Sequence, residues 1–96
     1  MNTNDLKGSE KQIAWATEIR ANYTKQLTAL KDMMAAAKAD MSDPRRAGMI
    51  AKLDAVAAVT SAAWWIDNRH YLKVGCPQDL ANGTLRCILD GDVKMP

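Results

Sequence analysis

Phenylalanine is absent from the sequence, and the other aromatic residues, three tryptophans and two tyrosines, make up only 5% of its 96 residues. Apolar residues nevertheless account for 48% of the chain, and a large share of them are alanines. Alanine favours helices and lets them pack closely. We therefore predict an all-α protein in which a few large side chains fill most of the core. At this length, residues 1–96 form a single helical domain.

A strong excess of charge of either sign is also absent. Thirteen lysines and arginines stand against eleven acidic residues, so the formal net charge is only +2. Proteins that bind nucleic acid through electrostatics alone carry a concentrated positive charge, and acidic mimics of DNA carry the opposite one. The charge balance argues against both classes.

Long apolar runs and targeting signals are lacking as well. The longest weakly polar run, residues 55–66, is too short to span a bilayer, so we expect no membrane contact. The N-terminus shows no basic segment followed by an apolar one, which predicts a cytoplasmic protein. In that compartment Cys76 and Cys87 are expected to be reduced thiols.

The first predicted helix covers residues 9–39. Residues 1–8 are polar and end in a glycine, which is typical of a flexible leader. The sequence SEKQ at residues 9–12 has the form of a capping box, in which Ser9 and Gln12 each satisfy a backbone N–H of the other. The following residues place one apolar stripe on a helix that contains neither glycine nor proline.

A second helix is predicted over residues 43–72. Asp43 has the residue type of an N-cap, and Pro44 is favoured at the first helical position. The pattern ends before Gly75 and Pro77. Because the connection between the two helices is short, we expect a long antiparallel helical hairpin.

The second helix is apolar nearly all round, so it needs cover on two sides. The first helix supplies one cover. The other is either the short C-terminal segment at residues 76–90, a second copy of the chain in a four-helix homodimer, or a binding partner. Within that segment residues 84–89 fit a strand or a helix, and we favour the helix because a lone strand lacks a partner. Residues 91–96 are expected to form a tail.

The aromatic residues are expected to gather at the open end of the hairpin. A turn near residue 42 brings Trp15 opposite the end of the second helix. We predict a structural cluster of Trp15, Trp64 and Asp67, because large aromatics on an apolar stripe are usually core residues. A buried carboxylate needs a partner, and the candidates for Asp67 are the Trp15 indole, Lys11 and Arg20.

Trp65 lies on a different helical face from Trp64 and is predicted to meet the tail or a partner. Tryptophan, tyrosine and arginine dominate the energetics of protein interfaces. The predicted partner-binding residues are Trp65, Ile66, Arg69, His70 and Tyr71.

Nucleic-acid binding is the alternative hypothesis. Basic and aromatic residues mixed at one end of the hairpin could hold single-stranded bases by stacking and charge. The candidate contacts are Lys11, Arg69, His70 and Lys73. Interspersed acidic residues make an ordinary solvated surface the stronger interpretation.

A small metal-dependent enzyme is the third hypothesis. His70, Cys76 and Cys87 could approach one another, but their spacing matches no zinc-binding pattern. No glycine-rich phosphate loop is present, and nothing marks an oxyanion hole for a cysteine nucleophile. We predict no catalytic residue, no metal and no cofactor.

Two motifs carry a family resemblance: GSEKQIAWA at residues 8–16 and WWIDNR at residues 64–69. They resemble a pattern in small open reading frames of bacteriophages, prophages and other mobile elements. The resemblance covers both helix ends but not the C-terminal third of the chain. It implies a mobile-element context and a location in the host bacterial cytosol, and it implies no catalytic residues.

This context favours one functional class. Small phage proteins without catalytic motifs often bind a host protein, and anti-CRISPR proteins block host defence complexes in this way. We therefore expect a non-enzymatic protein-binding module whose partner is a host or phage protein. Inhibition of a host defence complex is one role of this kind, by analogy of genome setting.

Overall fold

The computed structural model describes residues 6–38, 40, 42–73 and 75–95. Within them the protein is helical and contains no strand, which confirms the predicted all-α fold class. The elements in chain order are α1 Glu10–Ala36, α2 Pro44–Ala57, α3 Ala62–Asp67, α4 Arg69–Leu72, α5 Pro77–Asp79, a π-helical turn Leu80–Thr84, and α6 Leu85–Asp90.

The long helix α1 begins where the capping box predicts. The Gln12 backbone N–H donates to Ser9 Oγ at 3.2 Å, and the Ser9 N–H donates to Gln12 Oε1 at 3.1 Å. The helix ends at Ala36, and Lys38 follows with a positive φ of 55°. The predicted end at residue 39 lies outside the described residues.

The predicted second helix is not continuous. It is broken between α2 and α3, where the four residues 58–61 leave the helical conformation, and again at Asn68. Residues 58–61 contain neither glycine nor proline, so the local sequence has no helix-breaking residue that would predict the break. The prediction of one helix over residues 43–72 was wrong because contacts from distant parts of the chain override the local preference for helix.

The N-terminal strap, residues 6–8, supplies part of these contacts. The Lys7 N–H donates to the Thr60 carbonyl at 2.7 Å, and the Ala62 N–H donates to the Lys7 carbonyl at 2.9 Å. The Leu6 side chain is only 7% exposed and belongs to the core. The predicted flexible leader is therefore packed at residues 6–8, while residues 1–5 lie outside the described part of the chain.

The break changes the direction of the chain. The α2 helix runs antiparallel to α1, since Tyr23 donates to the Leu53 carbonyl and Arg20 donates to the Ala57 carbonyl. The α3 helix then begins with Ala62 beside Gly8, at the start of α1. From there α3 and α4 turn back along α1.

The C-terminal segment provides the second cover. Residues 84–89, for which helix was favoured over strand, are helical throughout. Leu80 and Thr84 of the π-helical turn are buried, and the Thr84 hydroxyl donates to the Tyr71 carbonyl at 2.8 Å. The predicted tail is also packed, because Val93 is only 3% exposed. Its last residue, 96, lies outside the described residues.

Candidate functional site

Trp65 is the centre of the core and is not a surface residue. Its side chain is 0% exposed, and its ring packs edge-on against Tyr23 and Trp64 at centroid distances of 5.5 and 5.3 Å. Its indole N–H donates to the Val59 carbonyl at 2.8 Å. The prediction that Trp65 contacts a partner was therefore wrong. Ile66, from the same predicted set, is half-buried against this core.

Trp64 is buried as predicted, and its ring packs edge-on against Trp65. The Trp64 indole N–H donates to the Lys94 carbonyl at 2.7 Å, so the C-terminal segment covers this tryptophan. Neighbouring tryptophans on different helical faces are both buried here because Trp65 packs on Tyr23 of α1 and Trp64 packs under the C-terminal segment.

Trp15 is the exposed tryptophan. Its side chain is 48% exposed on α1, which corrects the prediction that it belongs to the structural cluster. The Arg69 guanidinium lies 5.0 Å from the centroid of the Trp15 ring, a cation–π contact. The third predicted member, Asp67, is also exposed. One of its predicted partners, Arg20, donates instead to the Ala57 carbonyl at 3.0 Å.

Trp15 lines a hollow that we call the Trp15 groove. Its volume is about 310 Å³, and it lies between α1 and α4. Arg69 is fixed on its wall, because Nη1 of Arg69 donates to the Ile66 carbonyl at 2.7 Å. The residues that line the groove are Trp15, Glu18, Ile19, Asn22, Arg69 and Lys73.

The groove unites some of the predicted site residues and leaves others outside. Arg69 and Lys73 are in its lining, whereas His70, Tyr71 and Lys11 are exposed but do not line it. Glu18, Ile19 and Asn22 were not predicted. Their spacing from Trp15 would have identified them, because positions three, four and seven residues further along a helix share its face.

The electrostatic character of the groove comes from two cations and one carboxylate. Lys73 and Arg69 carry positive charge, and Glu18 carries negative charge. The resolved pKa shifts lie elsewhere. Burial, with a smaller effect of Asp54, raises the pKa of Tyr23 in the core. Hydrogen bonds from the Ser42 side chain and backbone lower the pKa of Asp40 between α1 and α2.

The described parts of the chain offer neither a metal-binding cluster nor a membrane-spanning helix. No group of three or more histidine, cysteine or acidic side chains there could hold a metal ion. None of the helices described is both long enough and apolar enough to cross a bilayer. Cys76 and Cys87 are free thiols and half-buried.

No known protein family, curated protein or solved structure matches the chain. The resemblance to mobile-element proteins therefore stays a prediction, and we propose a function from the residues of the groove.

Proposed function

We propose that the protein is a non-enzymatic protein-binding module and that the Trp15 groove is its contact surface. One observation carries the proposal: Trp15 is 48% exposed beside a hollow, while the other two tryptophans are buried. Tryptophan and arginine are the side chains most often found at interface hot spots, and here they already lie against each other.

The partner chemistry that best fits the groove is an acidic segment with an apolar side chain. Arg69 has five N–H donors in a rigid fork, and its position is held by the Ile66 carbonyl and the Trp15 ring. A guanidinium that is fixed before binding loses little side-chain entropy when it pairs with a carboxylate. Lys73 adds a second cation, and Ile19 and Trp15 offer apolar surface to the side chain.

The mobile-element resemblance supports a host or phage protein in the bacterial cytosol as the source of that segment. Inhibition of a host defence complex remains the proposed biological role. It is a proposal from genome setting, and its support is the pair of sequence motifs.

The test is a selection of peptides from a random display library against the intact protein. We expect the selected peptides to carry aspartate or glutamate next to an aromatic or aliphatic residue. Because a hot-spot tryptophan contributes about 2 kcal/mol or more, Trp15→Ala should weaken the binding of these peptides about thirtyfold. A matched control is Met33→Ala, which truncates another exposed apolar residue of α1 outside the groove.

The same variants decide whether the natural partner uses the groove. Capture of a host protein from lysate should be lost with Trp15→Ala and kept with Met33→Ala. Capture that survives Trp15→Ala in a folded protein would place the contact surface elsewhere.

Single-stranded nucleic acid is the second candidate, since an exposed indole beside basic residues can stack on bases. Its proposed contacts are Lys11, Arg69, His70 and Lys73. A thymidine oligonucleotide would then bind with an affinity that falls steeply as salt increases. Binding of the oligonucleotide that depends on Trp15, together with no enrichment of acidic peptides, would favour this candidate.

A further inference from the structure

Hydrogen bonds to individual backbone carbonyl and N–H groups stabilise the break between α2 and α3. In a continuous helix each backbone carbonyl here would accept from the N–H four residues further along. Here they have other partners: the Ala57 carbonyl accepts from Arg20, the Val59 carbonyl from the Trp65 indole, and the Thr60 carbonyl from Lys7, while the Ala62 N–H donates to the Lys7 carbonyl and the Trp64 N–H to Ser61 Oγ.

The sequence of the break is itself compatible with a helix. Residues 58–61 read AVTS, and helices flank them on both sides. None of the five pairings would be needed if α2 and α3 joined, because the joined helix would satisfy the same groups internally. A joined helix would therefore be a second way to satisfy the backbone of residues 58–61, and the strap holds the groups that it would use.

We propose that residues 58–61 are the hinge of a domain-swapped homodimer. In the swapped form α2 and α3 join into one helix, and residues 62–95 pack on α1 of a second copy. The contacts of Trp65 with Tyr23 and of Arg69 with Trp15 are kept, but each now joins two copies. Exchange of an identical element in this way retains the ring packing of the core and adds the helical hydrogen bonds of the hinge, while the Trp65 indole N–H gives up the Val59 carbonyl.

The strap opposes the exchange. Its two hydrogen bonds use the Thr60 carbonyl and the Ala62 N–H, and both groups would be occupied in the joined helix. It also fits closely, since a Cβ at Gly8 would lie 2.9 Å from Gln12 Oε1 and 3.1 Å from the Ala62 Cβ. Gly8 has a φ of +158°, which side-chain-bearing residues rarely adopt. Displacement of residues 6–8 therefore favours the dimer.

The swap also bears on the proposed contact surface, and this part of the inference depends on the proposed function. Trp15 and Arg69 lie on opposite sides of the hinge in the sequence. In the dimer each Trp15 groove is built from α1 of one copy and α4 of the other. The oligomeric state is measured without any binding partner, so the two proposals fail separately.

The decisive test compares two substitutions at one hinge position. Ser61→Ala and Ser61→Pro both remove the hydroxyl that accepts from the Trp64 N–H. Alanine favours the joined helix, whereas proline is excluded from a helix interior but fits the φ of −79° at Ser61. By light scattering after size exclusion, we expect Ser61→Ala to lower the dimer dissociation constant at least tenfold and Ser61→Pro to remain monomeric. Equal dimer dissociation constants for the two variants would overturn the assignment of residues 58–61 as the hinge.

The strap is tested by a pair of glycine substitutions. Gly8→Ala should increase the dimer fraction, while Gly48→Ala, where a Cβ meets no atom within 4 Å, should leave it unchanged. Adding Ser61→Pro to Gly8→Ala should restore the monomer. A Gly8→Ala protein that stays monomeric at all concentrations, or that unfolds without dimerising, would overturn the role of the strap.

The geometry of the dimer gives a third measurement. Spin labels at residues 45 and 67 of one copy, with Cys76 and Cys87 replaced by serine, should be about 33 Å apart along roughly 22 residues of the joined helix. In the monomer the distance is shorter, because α3 and α4 turn back along α1. A dimer that keeps the monomer distance would exclude the swap.

Discussion

Single tryptophans differ in role although the sequence offers little to distinguish them. A buried indole N–H needs an acceptor. Trp64 finds the Lys94 carbonyl at 2.7 Å and Trp65 the Val59 carbonyl at 2.8 Å. The Lys94 carbonyl comes from a distant part of the chain, whereas the Val59 carbonyl is near in sequence and can accept because the helix is broken there. Trp15 keeps much of its surface exposed and takes Arg69 as its neighbour.

This difference predicts opposite effects on stability. Trp65→Ala should lower the free energy of unfolding by about 3–5 kcal/mol, because it empties the centre of the core. Trp15→Ala should lower it by less, about 1–2 kcal/mol, because roughly half of its surface is already exposed. Urea denaturation followed by circular dichroism measures both. Equal losses in the two variants would contradict the assignment of core and surface.

Tyr23 predicts how stability changes at alkaline pH. Burial, assisted by Asp54, raises the pKa of its hydroxyl above the ordinary value of 10.0. Because the unfolded chain ionises first, the stabilisation is complete below pH 10.0 and is lost as pH rises towards the folded pKa. Tyr23→Phe should remove this contribution to the fall in the free energy of unfolding at alkaline pH.

The substitution also has a cost at neutral pH. The Tyr23 hydroxyl donates to the Leu53 carbonyl at 2.7 Å, so Tyr23→Phe should lower the free energy of unfolding by about 1 kcal/mol. Denaturant midpoints at pH 7 and above pH 10 measure both effects. Tyr71→Phe is the control, since Tyr71 is exposed. If the free energy of unfolding falls as much above pH 10 in Tyr23→Phe as in the unchanged protein, the Tyr23 hydroxyl does not have this role.

At the scale of elements, helix starts follow local chemistry. Ser9 and Asp43 cap α1 and α2 as the sequence predicts, because a cap and the N–H groups it satisfies are neighbours in the chain. The break at residues 58–61 has no such signal. Its partners, among them Lys7 and Arg20, are distant in sequence.

The capping box of α1 gives a prediction for one element. Ser9→Ala should lower the free energy of unfolding by about 1 kcal/mol, since the Gln12 N–H loses its acceptor. Thermal unfolding measures the change. Thr28→Ala, on the exposed middle of the same helix, should not destabilise, because alanine is the better helix former. A loss in Thr28→Ala that equals the loss in Ser9→Ala would contradict a specific effect of the cap.

At the scale of the whole molecule, both ends of the described chain pack into the core. At one end Leu6 is buried in the core, and at the other Val93 is buried and the Lys94 carbonyl accepts from the Trp64 indole. The predicted leader and the predicted tail are thus structural parts of a small core. In a chain of this size, two such contacts are a sizeable share of the stability.

Removal of the C-terminal closure should therefore destabilise the whole protein. Deleting residues 92–96 exposes the site of Val93 and leaves the Trp64 indole N–H without the Lys94 carbonyl. We expect a loss of about 3 kcal/mol, from apolar burial and one unsatisfied donor. Urea denaturation followed by tryptophan fluorescence measures it. Met95→Ala, which changes an exposed side chain, is the control and should have little effect.

The sequence by itself determined the helical class and the caps at Ser9 and Asp43, because composition and capping depend on neighbours in the chain. It also predicted that Trp64 is buried, but the cover is the distant C-terminal segment. Arg69, which the sequence placed among the candidate contact residues, is half-buried and lines the Trp15 groove. Only the tertiary structure decided that Trp65 is buried, that Trp15 is exposed, and that the second helix breaks at residues 58–61. The physical reason is that each of these outcomes depends on contacts with distant segments, namely the strap, α1 and the C-terminal segment.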